Sequence, residues 1–399
     1  MRVLYMGNEP PVEWRGAPIV MYRLVIQPSD MKVLVISPPL DDTFPGITLP
    51  SLPPSVTFLP FRSPQLIRRL KRSRFYEWAW AYEQFVATGF ISPWLWQKVR
   101  AFNPEVIVAL ADNSLSHLAR KLARRLKIPL ATYFADWKPR YFPALASTRP
   151  MLERRWQELY QQSDVAFCTS EGMREALGPH PNAHVIYPLG NLEVISPATD
   201  GEQPAKHQPT LVYAGNIEGT YGSMLAQLRR ALLQRGKAKI ALYGLCDWPA
   251  EEQAAARADG SYHGFTPNRE LVKHLAKADF LLVVMSFDPS VRFFVETAFT
   301  TKFCDYCAFG KPIIVWGPEY CTVVKFAQQR RSALVVTDPS PQSVCDAVEK
   351  LTTNRDEQKR LSEAAMHLHQ GELNPVVIRR KFKSELEKIA GWCKKKPGR

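Results

Sequence analysis

Between Thr297 and Pro318 the chain reads TAFTTKFCDYCAFGKPIIVWGP. Thr300, Thr301 and Lys302 open a helical pattern about three turns long, and Asp305 follows one turn later. Gly310-Lys311-Pro312 then stops the helix before a short apolar strand. A helix start exposes unpaired N–H groups at the positive end of the helix dipole, and an adjacent ammonium adds a full charge. Hydroxyls and a lysine at a helix start are therefore ingredients of an anion site. Taken alone, the same residues also describe an ordinary capped helix. The order of signals around them separates the two readings.

The first half of the chain alternates apolar runs (RVLYMG, KVLVIS, SVTFLP, EVIVAL, PLATYFAD, DVAFCTS, HVIYPLG) with helical segments such as SLSHLARKLARRLK and MLERRWQELYQQ. Strands alternating with helices predict parallel sheets covered on both faces. A polar, proline-rich stretch from Glu193 to Pro209 has no period and reads as a linker. The pattern then restarts with TLVYAGN, KIALYG, FLLVVMS, PIIVWG and SALVVTD, and a final amphipathic helix precedes the basic tail KKKPGR. The expected fold is α/β, two Rossmann-like doubly wound domains facing a cleft. Residues 1–192 with the returning helix 375–399 form the first, and 205–374 the second. Ligands of such sheets bind at the carboxyl ends of the strands.

Within the second half, YAGNIEGTYG, then YHGFTPNRELVKHLAKADFLLVV, then TTKFCDYCAFGKPII occur in that order. This series resembles the donor domain of GT-B glycosyltransferases, in particular the retaining group called family 4. The resemblance extends over most of the chain, through RVLYMGNEPPVEWRGAP, RRLKIPLATYFAD and SDVAFCTSEGMREAL in the first half. It implies that Lys302 contacts a donor diphosphate, capped by the backbone near Thr300 and Thr301. Asp305, standing for the family's second glutamate, would accept hydrogen bonds from the ribose hydroxyls, which a carboxylate suits. His263, Gly264 and Phe265, with Thr266, would lie beside the nucleobase. Gly215, followed by Asn216, would admit the phosphates, as would Gly16 from the first domain. Asp136 ends a strand, and its reading stays open between a cleft residue in the catalytic set and a helix cap.

The chain departs from the family pattern at the phosphate cations. The usual arginine and lysine after the first donor strand are Asn216 and Tyr221, and the usual histidine before Asp136 is Ala135. The family's first glutamate is Thr297, with Glu296 one place earlier. Arg292 and Arg15 are candidates for a substitute cation. No D-x-D sequence occurs, so no metal is expected, and the nucleotide sugar is a co-substrate of unspecified base rather than a cofactor. Cys304 and Cys307 form C-x-x-C without a second pair at zinc spacing, which reads as helix packing. His367 and His369 read as surface residues of a helix.

The 399 residues carry a net charge of +14, which favours anionic partners without choosing among them. From Arg62 to Arg74 there are six basic residues and no acid, followed by Trp78, Trp80, Trp94 and Trp96. Two readings stay open: an anionic membrane surface, or a solvated basic helix with its tryptophans in the core. No helix-turn-helix, zinc or RNA-binding signature accompanies the charge, so nucleic acid is not expected as a partner. Odd-numbered, scattered cysteines and a start in strand pattern fit the cytoplasm, with peripheral placement at the inner face of a membrane. The expected activity is metal-independent, retaining transfer of a hexosyl group from a nucleotide sugar to a hydroxyl of a glycan or lipid-linked acceptor. A catalytically silent GT-B protein that binds a glycan or protein partner is the alternative.

Overall fold

The computed structural model describes all residues except 13–15, 29, 40–52, 113, 142–143, 191–207 and 396–399, and side chains up to residue 391. Two compact units result, Met1–Tyr187 with Arg379–Arg399, and Pro188–Ile378. Most of the expected linker falls outside the described residues.

Seven strands build the first unit: β1 (Arg2–Met6), β2 (Lys32–Ser37), β3 (Val56–Pro60), β4 (Val106–Leu110), β5 (Leu130–Phe134), β6 (Val165–Cys168) and β7 (Ala183–Val185). They pair in the order β3-β2-β1-β4-β5-β6-β7, all parallel. The central strands are buried on both faces, which is why their sequences are continuous apolar runs rather than alternations. Helices between them are α1 (Gly16–Met21), α2 (Gln65–Leu70), α3 (Tyr76–Phe85), α4 (Pro93–Phe102), α5 (Ser114–Leu126), α6 (Lys138–Tyr141), α7 (Arg149–Gln161) and α8 (Glu171–Leu177). Chain order reverses between neighbours β1 and β4, and this is the point where the loops that follow two adjacent strands diverge.

The second unit has β8 (Thr210–Ala214), β9 (Lys239–Tyr243), β10 (Tyr262–Gly264), β11 (Phe280–Val284), β12 (Ile313–Trp316) and β13 (Leu334–Val336), in the order β10-β9-β8-β11-β12-β13. Its helices are α9 (Gly219–Arg235), α10 (Ala250–Ala258), α11 (Asn268–Lys277), α12 (Arg292–Thr297), α13 (Thr301–Cys307), α14 (Thr322–Arg330), α15 (Pro341–Thr353) and α16 (Arg355–Gln370). Here the reversal lies between β8 and β11. The core on one face gathers Leu211, Tyr213, Leu225, Leu228, Leu282 and Trp316. The three-residue strand β10 carries too little apolar sequence to have signalled itself.

The last helix, α17 (Pro375–Lys395), belongs to the first unit from Arg379 onward. Arg379 donates to the carbonyl of Arg23 at 2.9 Å, Lys381 to that of Val185 at 3.0 Å, and Phe382 lies 4.7 Å from Phe167.

Candidate functional site

The helix expected to run three turns is in fact α13, of seven residues, preceded by the separate α12. Ala298 and Thr300 adopt extended backbone, and that break divides the segment. Thr300 occupies the position before α13, and its hydroxyl makes no capping bond. Helix α13 buries Phe303, Cys304, Tyr306 and Cys307, and two glycines pack closely against it. A Cβ on Gly190 would fall 2.8 Å from the carbonyl oxygen of Cys304. A Cβ on Gly215 would fall 1.8 Å from Cε of Lys302.

Gly215 follows β8, so the lysine lies at the carboxyl end of the strand next to the chain reversal. Gly215 N–H donates to the Tyr243 carbonyl at 2.8 Å, and Gly244 N–H to the Gly264 carbonyl at 2.8 Å. These bonds extend the sheet by one step past β8, β9 and β10. A Cβ on Gly244 would meet the Gly215 carbonyl at 1.8 Å, so both positions require glycine. Tyr213 presents its ring 5.4 Å from the Lys302 ammonium, and the Tyr306 hydroxyl accepts from the Ala214 N–H at 2.9 Å. Burial pushes the Lys302 amine down to about 8, while Asp305, one turn on, pulls it back up. The result is a cation that carries its charge in neutral solution. Tyr213, Tyr306, Gly190 and Gly244 were not singled out in the sequence.

At the far edge of the same strand ends, the Tyr243 ring lies against both His263 and His274, with centroids 4.6 and 4.8 Å away, and the two imidazoles are 6.5 Å from each other. Burial, then His274 and Arg257, lowers the His263 pKa, favouring the neutral ring. Gly264 takes a positive φ of 76°, and Phe265 beyond it is exposed. Loop glycines bring Lys302 and Gly215 together and step outward through Gly244 to this aromatic edge.

Other expected residues sit differently. Asn216 is exposed, and its carbonyl accepts from the Tyr213 hydroxyl at 2.7 Å. Tyr221 is partly buried, with its ring packed against the apolar core of the unit. The N-terminus of α9 has an anion of its own: Asp247 accepts from Gly219 N–H at 2.8 Å. Arg292 is exposed, bonded to Glu296 at 2.8 Å and stacked 4.5 Å from Tyr320. Arg15 lies outside the described residues. Thr297 is buried and donates to the Phe293 carbonyl at 2.8 Å. Cys304 and Cys307 are buried in α13. Among the described residues no group of three or more His, Cys, Asp or Glu is placed to hold a metal ion. His369 is not a surface residue. It is buried on α16, with no hydrogen-bond partner for Nδ1, and the Asp305 charge acts on it. The helical face that seats α16 against α13 carries it inward.

In the first unit, Gly16 starts α1 with a φ of 45°. Asp136 follows β5 and lies 3.8 Å from the Lys138 ammonium, which reaches Glu9 at 3.4 Å. Asp112, after β4, accepts from the backbone N–H of Asn8 at 2.7 Å and of Glu9 at 3.2 Å. Asn8 in turn bonds Ser114 and the Leu115 N–H, tying the loops after β1 and β4 together. Burial raises the Asp136 pKa, Lys138 opposes the rise and Glu9 adds to it. Asp136 is thus part of a charge cluster with Lys138 and Glu9 beyond the strand ends.

Across their whole length, solved structures share this architecture. A sucrose-phosphate synthase from Thermosynechococcus elongatus superposes with a TM-score of 0.67 at 14% identity, covering 98% of this chain and 99% of its own. Anabaena HepE, solved in complex with UDP, gives 0.66 at 12% identity, with 97% and 100% covered. A glycosyltransferase from Rickettsia africae gives 0.65 at 11% identity, with 97% and 98% covered. No protein-family model matches the chain, and no curated protein matches it either. The two-domain fold of GT-B glycosyltransferases is therefore the fold of this protein.

Proposed function

We propose that this protein transfers a hexosyl group from a nucleotide-sugar donor to a hydroxyl of a glycan or lipid-linked saccharide. The observation that carries this reading is Lys302, a largely desolvated cation laid against Gly215 at the chain reversal of the second sheet. As the bond between the anomeric carbon and the donor phosphate oxygen breaks, negative charge gathers on the diphosphate. A cation fixed beside that oxygen stabilises the transition state more than the ground state. The acceptor oxygen forms the new bond to the anomeric carbon, and its proton passes to the departing phosphate, the route of a retaining, metal-independent reaction. Asp305 takes the ribose hydroxyls, and the edge at His263, Gly264 and Phe265 takes the base. Anabaena HepE is solved with UDP, which makes UDP-linked sugars the first donors to try. No described helix is long and apolar enough to cross a membrane, and a place at the inner face of the cytoplasmic membrane agrees with a lipid-linked acceptor.

Screening a panel of sugar nucleotides by thermal shift, followed by assay of nucleoside diphosphate release, tests the reading. One donor should stabilise the protein and release diphosphate slowly even without acceptor, and Lys302→Ala should abolish release. Stabilisation by no member of the panel overturns it. A second reading, a silent GT-B protein that binds a glycan, draws on Tyr221 turning to the core where the family has a lysine. Donor binding without any diphosphate release in either background would select it.

A further inference from the structure

Helix α3 has its inner face fixed by packing. Ala79, Glu83 and Gln84 are buried, Trp80 packs on the small apolar cluster of Ala144 and Leu152, and Lys71 reaches in to bond Glu83 at 2.6 Å and cover Trp80 at 3.6 Å. With that face committed, the opposite one must point outward. It carries Phe75, Trp78, Tyr82 and Val86, spaced three, four and four residues apart, a single helical stripe. Trp78 is 64% exposed, and the stripe continues to Phe90, 80% exposed, and Trp94 at the start of α4. Soluble surfaces seldom gather so many large side chains in one run.

The charges beside the stripe have one sign. From Arg62 to Asn103 the chain has eight basic residues and two acidic ones, Glu77 and Glu83, and Glu83 is buried against Lys71. Arg69, Arg72 and Arg74 are exposed on the segment leading into α3, and Lys98 and Arg100 are exposed on α4. Tryptophan and tyrosine join an apolar body to a polar tip, a combination suited to a head-group layer, where one end is wet and the other is not. We propose that the outward stripe of α3, together with Phe90 and Trp94, inserts into the head-group layer of an anionic lipid bilayer while the flanking arginines pair with lipid phosphates. Lys71 takes no part, being spent on Glu83. The surface lies wholly within the first unit and does not depend on the transfer reaction.

The test is sedimentation of the full chain with phosphatidylcholine vesicles, with or without phosphatidylglycerol, at low and high salt. The protein should pellet with the anionic vesicles, and salt should release part of it, because screening weakens only the charge contribution. Arg69→Glu with Arg72→Glu should weaken binding by at least roughly fivefold per position, the factor matching about 1 kcal/mol per basic residue. Trp78→Ser with Phe90→Ser should weaken it roughly tenfold or more at an unchanged melting temperature, while Trp78→Phe keeps it. Recovery in the supernatant under all conditions overturns the proposal, as does binding that ignores these substitutions. A lipid-free dimer dissolved by Trp78→Ser would assign the stripe to a second copy and overturn it too. Diphosphate release from a soluble donor should be unchanged in Trp78→Ser, which separates failure here from failure of the transfer reading.

Discussion

Lys302 occupies the space that a side chain at Gly215 would fill: a Cβ built there lies 1.8 Å from Lys302 Cε and 2.5 Å from its Nζ. The two residues are 87 positions apart in sequence, on α13 and after β8, and each needs the other to be what it is. Gly215→Ala should therefore expel the ammonium from its place while leaving the lysine in the chain. We expect diphosphate release to fall about as far as in Lys302→Ala, and the double variant to be little worse than either single one. Independent, additive losses measured in that cycle would separate the glycine from the lysine.

Lys302 also sets a pH limb. Its folded-state pKa of about 8 lies below the ordinary value of 10.5, so between these values the unfolded chain holds a proton that the folded one has released. Stability should rise with pH across that window. Donor use should move the other way, because the deprotonated amine no longer balances a diphosphate. A fall of kcat/KM through about pH 8, beside a rise in melting temperature over the same range, is the expected pair of profiles. In Lys302→Arg the kcat/KM limb should disappear. A limb that persists there belongs to another group.

Asp305 should act on binding rather than on the chemical step. Asp305→Asn is expected to weaken donor affinity by about 1–3 kcal/mol, the cost of a lost charge-assisted hydrogen bond. The same substitution should erase discrimination between ribose and deoxyribose donors, measured by calorimetric titration. Equal discrimination in both proteins would remove the sugar-hydroxyl role. His369, buried on α16 and subject to the Asp305 charge, makes the melting temperature of this variant worth measuring alongside.

The sheets were legible in the sequence because doubly covered parallel strands are apolar from end to end, as VIVAL and FLLVV are. That Lys302 and Asp305 share a short helix ahead of a strand was legible because a glycine stop and an apolar run follow them in the sequence. What stayed hidden depends on contacts across the chain. The depth of His369 follows from where α16 lies, since two histidines on a polar helix look alike until one face is covered. Tyr221 seemed a lost cation site, and only its packing on the core of the second unit shows where the ring goes. The pairing of Lys71 with Glu83 likewise subtracted one charge from a run that reads as uniform. Gly190 and Gly244 matter through the backbone atoms they meet, and no residue pattern reports that.

The cluster around Asp136 offers a test of function through stability. Burial raises its pKa above the ordinary 3.8, with Glu9 adding to the rise and Lys138 only partly opposing it. Above the raised value the folded protein bears an ionised carboxylate that the unfolded chain accommodates more easily, so ionisation there costs stability. As pH falls through the raised pKa toward the ordinary one, the folded state takes up the proton first and that cost is relieved. Asp136→Asn keeps the shape and removes the charge, so it should raise the melting temperature near neutral pH and leave it nearly unchanged in acid. A residue kept at a cost in stability is a mark of a working site. The same variant should accordingly lower transfer to acceptor while sparing diphosphate release from donor alone, since Asp136 lies in the first unit and the proposed donor residues Lys302 and Asp305 in the second. Thermal melts across pH and the two assays decide it together. A variant that melts higher and still transfers at the wild-type rate would leave Asp136 a buried charge with no part in the reaction.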